Sequence, residues 1–141
     1  MRLYEYPFKF ASAEEGGWVI TCRDLPEAIS QAEVTEDRED VASGCLQAAL
    51  EARIRHEMEL PEPSKPKARE VMIAPPAGTA AKAALYVAMR EAGVSKMELA
   101  RRLGVDEKEV RRMLDPGHGS KLPRIAEAIE ALGRHLRIAL A

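Results

Sequence analysis

Alternating apolar positions near the start of the chain predict a β-hairpin. Two stretches alternate, one on each side of a turn over residues 13–17: Tyr4, Tyr6, Phe8 and Phe10, and then Trp18, Ile20 and Cys22. Side chains two positions apart lie on one face of a strand, so the two strands would share a bulky face. Pro7 has no N–H to donate, so we expect a free edge or a bulge there.

The next part of the chain predicts a third strand, a long helix and a fourth strand. The third strand is expected near residues 28–32 and the helix over residues 36–58. The apolar stripe of this helix is expected at Val41, Cys45, Ala48, Ala49 and Ala52, widened by Leu46 and Leu50. Three prolines exclude a helix from residues 60–70, which are interpreted as a linker or an exposed crossover. Residues 71–73 would return to the sheet, which places the domain boundary at residues 75–78.

In the second half the apolar spacing changes to three and four, which is typical of amphipathic helices. One helix is expected over residues 79–92, ending at Gly93, and another from Leu122 to a stop at Gly133. Between them, residues 95–114 predict two short helices joined at residues 103–105.

These two short helices have the layout of a helix-turn-helix. Gly104 can adopt the left-handed conformation that ends the first helix. Asp106 is expected to cap the second helix, with Glu109 completing a capping box. The second helix would turn three residues inward, Val110, Met113 and Leu114, and four outward or to the flank, Glu107, Lys108, Arg111 and Arg112.

A basic outward face can neutralise DNA phosphates or bond guanine edges. The same residues could also form the solvated face of a helical bundle. The expected DNA-binding residues are Lys96, Glu107, Lys108, Arg111, Arg112 and Lys121. For His118 and Ser120, a phosphate contact and a purely structural loop role both remain open.

Residues 134–141 return to strict alternation, through Leu136, Ile138 and Leu140, which predicts a C-terminal strand. A lone strand after a helical domain needs a partner edge, and the same strand of a second copy supplies one. We therefore expect a homodimer, with tetramers left open, which suits a two-fold DNA operator.

Charge divides the chain in the same way as the pattern. Residues 1–70 hold nine Lys/Arg and fifteen Asp/Glu, a net charge of −6, whereas residues 71–141 hold twelve and eight, a net charge of +4. The basic half suits nucleic acid and the acidic half suits a basic protein. The sequence thus predicts an α+β protein with two domains, 1–76 and 77–141.

Several classes of protein are disfavoured. No apolar run is long enough for a membrane span and no secretory leader opens the chain, so a cytoplasmic protein is expected. Cys22 and Cys45 lack metal-type spacing and are interpreted as buried thiols. We expect no cofactor and no metal site.

The order of these motifs resembles the HicB family of antitoxins, in the branch with a C-terminal helix-turn-helix. The motifs that carry the resemblance cover nearly the whole chain: the aromatic strand, GGW at 16–18, RDLP at 23–26, DREDVASGCLQAAL, LPEPS at 60–64, VMIAPP, SKMELARRLGV, HGSKL at 118–122 and EALGRHLRIAL. One departure is Ala32, where family members usually have a glycine after the third strand.

The resemblance implies a two-domain repressor and antitoxin. Its first half would have a partial RNase H-like fold and hold a small basic RNA-cleaving toxin, HicA, inactive. Its second half would bind the promoter of the operon. Trp18, Asp24 and Glu27 are candidate toxin contacts because of their loop positions and charge, and Asp24 is otherwise interpreted as a turn residue bonding its own backbone.

Two alternatives come from other functional classes. An RNase H-like fold suggests a nuclease, but the spacing brings no carboxylate cluster together, so we expect no catalytic residues and no enzyme. A transcription regulator whose first domain senses a small molecule is also possible in principle, since the aromatic row could line a pocket, although such rows are more often sheet core.

Overall fold

The computed structural model describes residues 1–141 as a mixed α+β protein with four strands and five helices. The elements in chain order are β1 (Tyr6–Ser12), β2 (Trp18–Cys22), β3 (Ile29–Ala32), α1 (Arg38–Arg55), β4 (Glu70–Ile73), α2 (Ala77–Ala92), α3 (Lys96–Leu103), α4 (Glu107–Leu114) and α5 (Leu122–Glu130). They fall into two units, Met1–Pro76 and Ala77–Ala141. None of the helices combines the length and apolar character needed to cross a membrane.

The first unit is one antiparallel sheet, in the order β3-β2-β1-β4, with α1 packed against it. β1 and β2 form the expected hairpin, with Phe10 opposite Ile20. Tyr6, Phe8 and Ile20 are fully buried, so the alternating aromatic residues form the core of the sheet. β1 is an inner strand, but its pairing with β2 begins only at Phe8, so at Pro7 the ladder is formed with β4 alone.

The buried stripe of α1 differs from the expected one. The buried residues are Ala42, Leu46, Ala49, Leu50 and Ile54. Val41, Cys45 and Ala52 are only half-buried, and Ala48 is exposed. The larger side chains of Leu46, Leu50 and Ile54 remove more apolar area from water than alanines do, and they therefore set which side of the helix faces the sheet.

Residues 56–69 connect α1 to β4 within the first unit, so they are a crossover and not a linker. Five side chains from other parts of the first unit hydrogen-bond to the crossover: Arg2, Tyr6, Arg23, Asp24 and Arg53. The Tyr6 hydroxyl donates to the Pro61 carbonyl at 2.7 Å, and burial raises the pKa of that hydroxyl. Such anchors replace the ladder hydrogen bonds that a proline-rich segment cannot make.

The second unit is helical, with α2 in contact with both α4 and α5. Nine of the sixteen residues of α2 are buried, including Leu85 and Tyr86. Because α2 is buried on most of its sides, it lies at the centre of its unit. The helices α3, α4 and α5 surround this core and each needs only one apolar face.

The predicted C-terminal strand is wrong. Residues 134–141 have no regular secondary structure. Ile138 and Leu140 are exposed, at 78% and 102% of their reference area. A strand exists only through hydrogen bonds to a neighbouring strand, and the second unit of a single chain contains no other strand.

Candidate nucleic-acid interface

Helices α3 and α4 pack on each other around a turn that is built from two capped helix ends. The Ser95 side chain accepts a hydrogen bond from Glu98 N–H at 3.1 Å and starts α3. Gly104 ends α3 in the left-handed region, with φ of 66°, as its sequence position predicts. Leu99 and Val110 are fully buried, one from each helix, so both helices share an apolar core.

The N-terminus of α4 is capped by Asp106, but not through the expected capping box. The Asp106 carboxylate accepts from Lys108 N–H at 2.9 Å. The Glu109 carboxylate does not return to the cap; it pairs with Arg124 of α5 at 2.5 Å. The Arg124 guanidinium, a charged partner on a neighbouring helix, offers Glu109 a stronger hydrogen bond than the backbone N–H of Asp106 does. In turn, the hydrogen bond to Glu109 raises the pKa of Arg124.

The outward side of α4 is charged, and the inward side is apolar. Val110, Met113 and Leu114 are buried, whereas Lys108, Arg111 and Arg112 are exposed. Glu107 bonds to Arg111 at 2.9 Å, and the Arg111 side chain remains 62% exposed. An exposed pair of this kind is weak, so a phosphate can displace the carboxylate.

The other predicted DNA-binding residues lie at two further helix starts. Lys96 is the first residue of α3 and is half-buried. Lys121 is the exposed N-cap residue of α5, which has no side-chain cap and carries Pro123 in its first turn. The Ser120 hydroxyl therefore does not cap α5; it donates to the Arg112 carbonyl at 3.3 Å.

A shallow cleft of about 180 Å³ brings part of the predicted set together. Its charged and polar lining comes from the end of α4, the loop over residues 115–121 and the start of α5: Glu109, Arg112, His118, Ser120, Lys121 and Arg124. We call this the basic cleft. Lys96, Lys108 and Arg111 are not part of its lining.

The Arg101 and Arg102 pair of α3 is held by one carboxylate. Glu98 accepts from Arg101 at 2.6 Å and from Arg102 at 3.1 Å. The hydrogen bonds from Arg101, and then those from Arg102, lower the pKa of the Glu98 carboxyl to about 2. Two arginines that share an anion within one helix are less available to a partner than Lys108 or Arg112.

Lys82 is the residue of this unit that sequence reasoning missed. It lies in α2 and is only 7% exposed, and its ammonium bonds to carbonyls at the end of α4 and in the following loop. The sequence does indicate that Lys82 is buried, because it lies three positions before Leu85 and four before Tyr86, on the apolar face of α2. A lysine at such a position needs buried acceptors.

The three candidate toxin contacts in the first unit do not form one cluster. Trp18 begins β2, and the Arg38 guanidinium lies 4.2 Å from its ring centroid. Asp24 and Glu27 follow the other end of β2, where Glu27 pairs with Arg53 at 2.6 Å.

Asp24 does not bond its own backbone as a turn residue would. Its carboxylate accepts from the N–H and the hydroxyl of Ser64, each at 2.7 Å, and its side chain is 9% exposed. Ser64 lies in the crossover, forty positions away, and this contact could not be read from local turn chemistry.

The side chains that usually bind metals, including the two cysteines, do not form a cluster in the structure. No group of three or more His, Cys, Asp or Glu side chains could hold a metal ion. Cys22 is buried and Cys45 is half-buried, and neither forms a disulfide. Burial raises the pKa of both thiols, which favours the protonated, less nucleophilic form.

The sequence of residues 5–84, more than half of the chain, matches the family described as HicB-like antitoxin of bacterial toxin-antitoxin systems. The chain belongs to the HicB family of antitoxins. This antitoxin is 35% identical over 133 residues to the Photorhabdus laumondii protein Antitoxin HicB 2, covering 94% of each chain.

The similarity of this HicB-family chain to its relatives extends beyond the first unit. Antitoxin HicB of Pseudomonas fluorescens is 31% identical over 139 residues, covering 98% of this chain and 94% of its own. Antitoxin HicB of Escherichia coli K12 is 29% identical over 135 residues, covering 96% and 98%. Matches of this length include the helical unit, so the relatives have residues that correspond to most of both units.

Proposed function

We propose that this antitoxin neutralises a HicA-type mRNA-cleaving toxin through residues 1–76 and represses its own operon through residues 77–141. In this proposal the first unit is the partial RNase H-like domain and the second is the helix-turn-helix domain. The protein acts as a homodimer, and pairing of dimers into tetramers is one possible further step.

The observation that carries the DNA-binding half is the packing of α3 on α4 around Gly104. The shared apolar core fixes α4 in place, so that Lys108, Arg111 and Arg112 remain outside it. A helix of this kind can enter the major groove of DNA, whose width admits one α-helix. The basic cleft adds Lys121 and His118 beside Arg112, where a backbone phosphate would be bound.

The dimer follows from the exposed tail and from the symmetry of operators. Ile138 and Leu140 are the most exposed large apolar residues of the second unit, and a second copy would remove them from water. Two copies related by a two-fold axis would present their α4 helices to successive major grooves about 34 Å apart.

The toxin-binding half is supported by the family and by charge. A toxin that cleaves mRNA has to attract phosphates, so a basic surface is expected on it. The net charge of −6 on residues 1–70 of this chain is complementary to such a surface. Trp18, Asp24 and Glu27 remain candidate contacts, and the geometry favours Glu27 over Asp24, since the Glu27 side chain is 42% exposed.

We propose a regulatory protein and not an enzyme. The antitoxin relatives favour this role over an RNase H-like nuclease. Full burial of Tyr6 and Phe8 favours a structural role for the aromatic row over a sensing pocket.

The test uses the intact protein with DNA from upstream of its gene and with the adjacent toxin gene. We expect DNA binding that weakens steeply with salt, and growth rescue when antitoxin and toxin are expressed together. Absence of both activities would overturn the proposal. RNA cleavage by the purified protein in the presence of Mg²⁺ or Mn²⁺ would favour the nuclease.

A further inference from the structure

Lys82 of α2 is a buried lysine whose ammonium lies among backbone carbonyls. Its Nζ donates to the carbonyls of His118 at 2.6 Å, Asp115 at 2.7 Å and Arg112 at 3.1 Å. The hydroxyl of Ser120 lies 3.3 Å away. An ammonium has three N–H donors, and the three carbonyls and the hydroxyl offer acceptors for all of them.

These acceptors belong to the end of α4 and to the loop over residues 115–121. Asp115 is the C-cap of α4, and Arg112 lies in its last turn. The last carbonyls of a helix lack partners within the helix and form the negative end of its dipole. A cation at this position satisfies them, which offsets the cost of burying the charge.

The same loop contributes a lysine and a histidine to the basic cleft. His118 and Lys121 line the cleft beside Arg112, and Lys82 donates hydrogen bonds to the backbone carbonyls of His118 and Arg112. The loop has two glycines, Gly117 and Gly119. Its other hydrogen bonds stay within residues 111–125, such as Gly117 N–H to the Asp115 carboxylate at 2.9 Å and the Ser120 hydroxyl to the Arg112 carbonyl at 3.3 Å. Lys82 thus ties the loop to a different helix.

We propose that Lys82 is a positioning residue for DNA binding, which holds the loop over residues 115–121 so that Lys121 and His118 lie beside Arg112. The inference rests on the proposed binding of DNA by the second unit. Lys82 itself is too buried to reach a phosphate, so its effect passes through the loop.

The decisive experiment is a double-mutant cycle on DNA affinity with the full-length protein. Lys82→Met keeps the length and apolar stem of the side chain but removes all three donors. We expect it to weaken binding to the upstream DNA by roughly 10-fold or more. Loss of fold by itself would also weaken binding, and the cycle separates the two causes.

The cycle compares two exposed lysines of the same unit, Lys121 in the loop and Lys108 on α4. Lys121→Ala should weaken DNA binding several-fold in the parent protein and have little effect in the Lys82→Met background. Lys108→Ala should weaken binding by the same factor in both backgrounds, because Lys108 lies in the first turn of α4, away from the carbonyls that Lys82 holds. A merely structural role for Lys82 would leave both effects additive.

A second variant keeps the inference testable if Lys82→Met loses its helical circular dichroism. Lys82→Arg retains the charge, but a planar guanidinium cannot converge its donors on three carbonyls as an ammonium does. The same cycle in this background should again be non-additive for Lys121 alone. In either variant, amide hydrogen exchange at residues 115–121 should be faster than in the parent protein, and by a larger factor than in α2.

The possible failures are distinguishable. If the parent protein does not bind upstream DNA, the proposed function is overturned, and the inference with it. If the parent binds DNA but Lys121→Ala weakens DNA affinity by the same factor in the parent and in the Lys82→Met background, only the positioning role is overturned.

Discussion

Charged residues of this antitoxin divide into those that hold the fold and those that remain exposed to a partner. Lys82 is buried and Asp24 is half-buried, and each hydrogen-bonds to backbone or hydroxyl groups far away in sequence. Lys108 and Lys121 are exposed at helix surfaces. Residue type does not distinguish the two groups. Whether a charged side chain holds the fold or stays exposed depends on how near it lies to hydrogen-bond partners and to water.

Arg111→Ala combined with Arg112→Ala should weaken binding to upstream DNA and flatten its salt dependence. Each lost phosphate contact should reduce the slope of log affinity against log salt by about 1. The measurement is a fluorescence anisotropy titration at several salt concentrations, with growth rescue against the toxin measured in parallel.

The matched control for this pair is Arg101→Ala, an exposed arginine of α3 that is bound to Glu98. It removes one positive charge from the same unit and should change affinity far less. Loss of toxin neutralisation by the Arg111 and Arg112 variant would contradict the division of labour between the units.

Asp24→Ala should destabilise the first unit by about 1–3 kcal/mol, because it removes the acceptor of a half-buried N–H and hydroxyl of Ser64. Urea denaturation of the full-length protein measures this free energy of unfolding. Glu27→Ala, at the other candidate toxin contact near this end of β2, should cost less than about 1 kcal/mol, since the Glu27 side chain is 42% exposed.

Equal destabilisation by the two substitutions would be inconsistent with the burial of Asp24. If Glu27→Ala leaves stability intact but impairs neutralisation, Glu27 is a toxin contact, as its exposure favours.

At the scale of elements, periodicity predicted the strands and helices better than the faces they bury. β2 and the hairpin turn lie where the alternation predicts them, and α2 covers residues 77–92. The predicted stripe of α1 was right for Leu46, Ala49 and Leu50 but wrong for Val41, Cys45, Ala48 and Ala52. The hydropathy pattern by itself does not account for side-chain volume, and the large residues decide which side faces the sheet. The capping box at Glu109 was wrong because Arg124 competes for that carboxylate.

The stability of the first unit should fall at acid pH because of Glu70, the residue that follows the crossover. Hydrogen bonds from Arg23, and then from Lys67 N–H, lower the pKa of the Glu70 carboxyl to about 2. A carboxyl whose pKa is depressed in the folded state stabilises fully above its ordinary pKa and loses that contribution as pH falls towards the depressed value. We expect Glu70→Gln to flatten the fall in stability between about pH 5 and pH 2.

Thermal unfolding followed across this pH range measures the effect. Glu62→Gln removes an exposed carboxylate of the crossover itself and should leave the profile close to that of the parent. A Glu70→Gln profile as steep as that of the parent would contradict a role for the Arg23 pair.

The tail should decide oligomeric state. Replacing Ile138 and Leu140 by Glu places charge on the apolar residues that a second copy would cover, so we expect a shift towards monomer in sedimentation velocity. Met97→Glu makes the same change at another exposed apolar residue of the unit, 68% exposed, and should leave the sedimentation profile unchanged. Tail variants that sediment like the parent would locate any dimer contact elsewhere.

At the scale of the whole molecule, two units of opposite charge belong to one antitoxin. The division at residues 76 and 77 separates a sheet with one helix from four helices. Each unit has its own buried residues, around Tyr6 and Phe8 in the first and around Leu85 and Leu99 in the second. Separate cores allow the two proposed activities to be separated by cutting the chain.

Residues 1–76 expressed alone should therefore still rescue growth against the toxin while failing to bind upstream DNA. The reciprocal fragment, residues 77–141, should bind upstream DNA but should not rescue growth against the toxin. A first fragment that is folded by circular dichroism yet cannot rescue would show that neutralisation needs the second unit.

The sequence by itself determined the four strands and five helices, the capped turn at Gly104, the charge of each half and, through its motifs, the HicB family. These properties depend on residues close together in the chain or on their order. Tertiary structure alone decided that the crossover is anchored by Asp24 and Arg23, that the tail has no strand in one chain, and that Lys82 holds the end of α4. Each of these depends on acceptors or strand edges distant in sequence, and hydrophobic periodicity carries no information about which distant polar groups will meet.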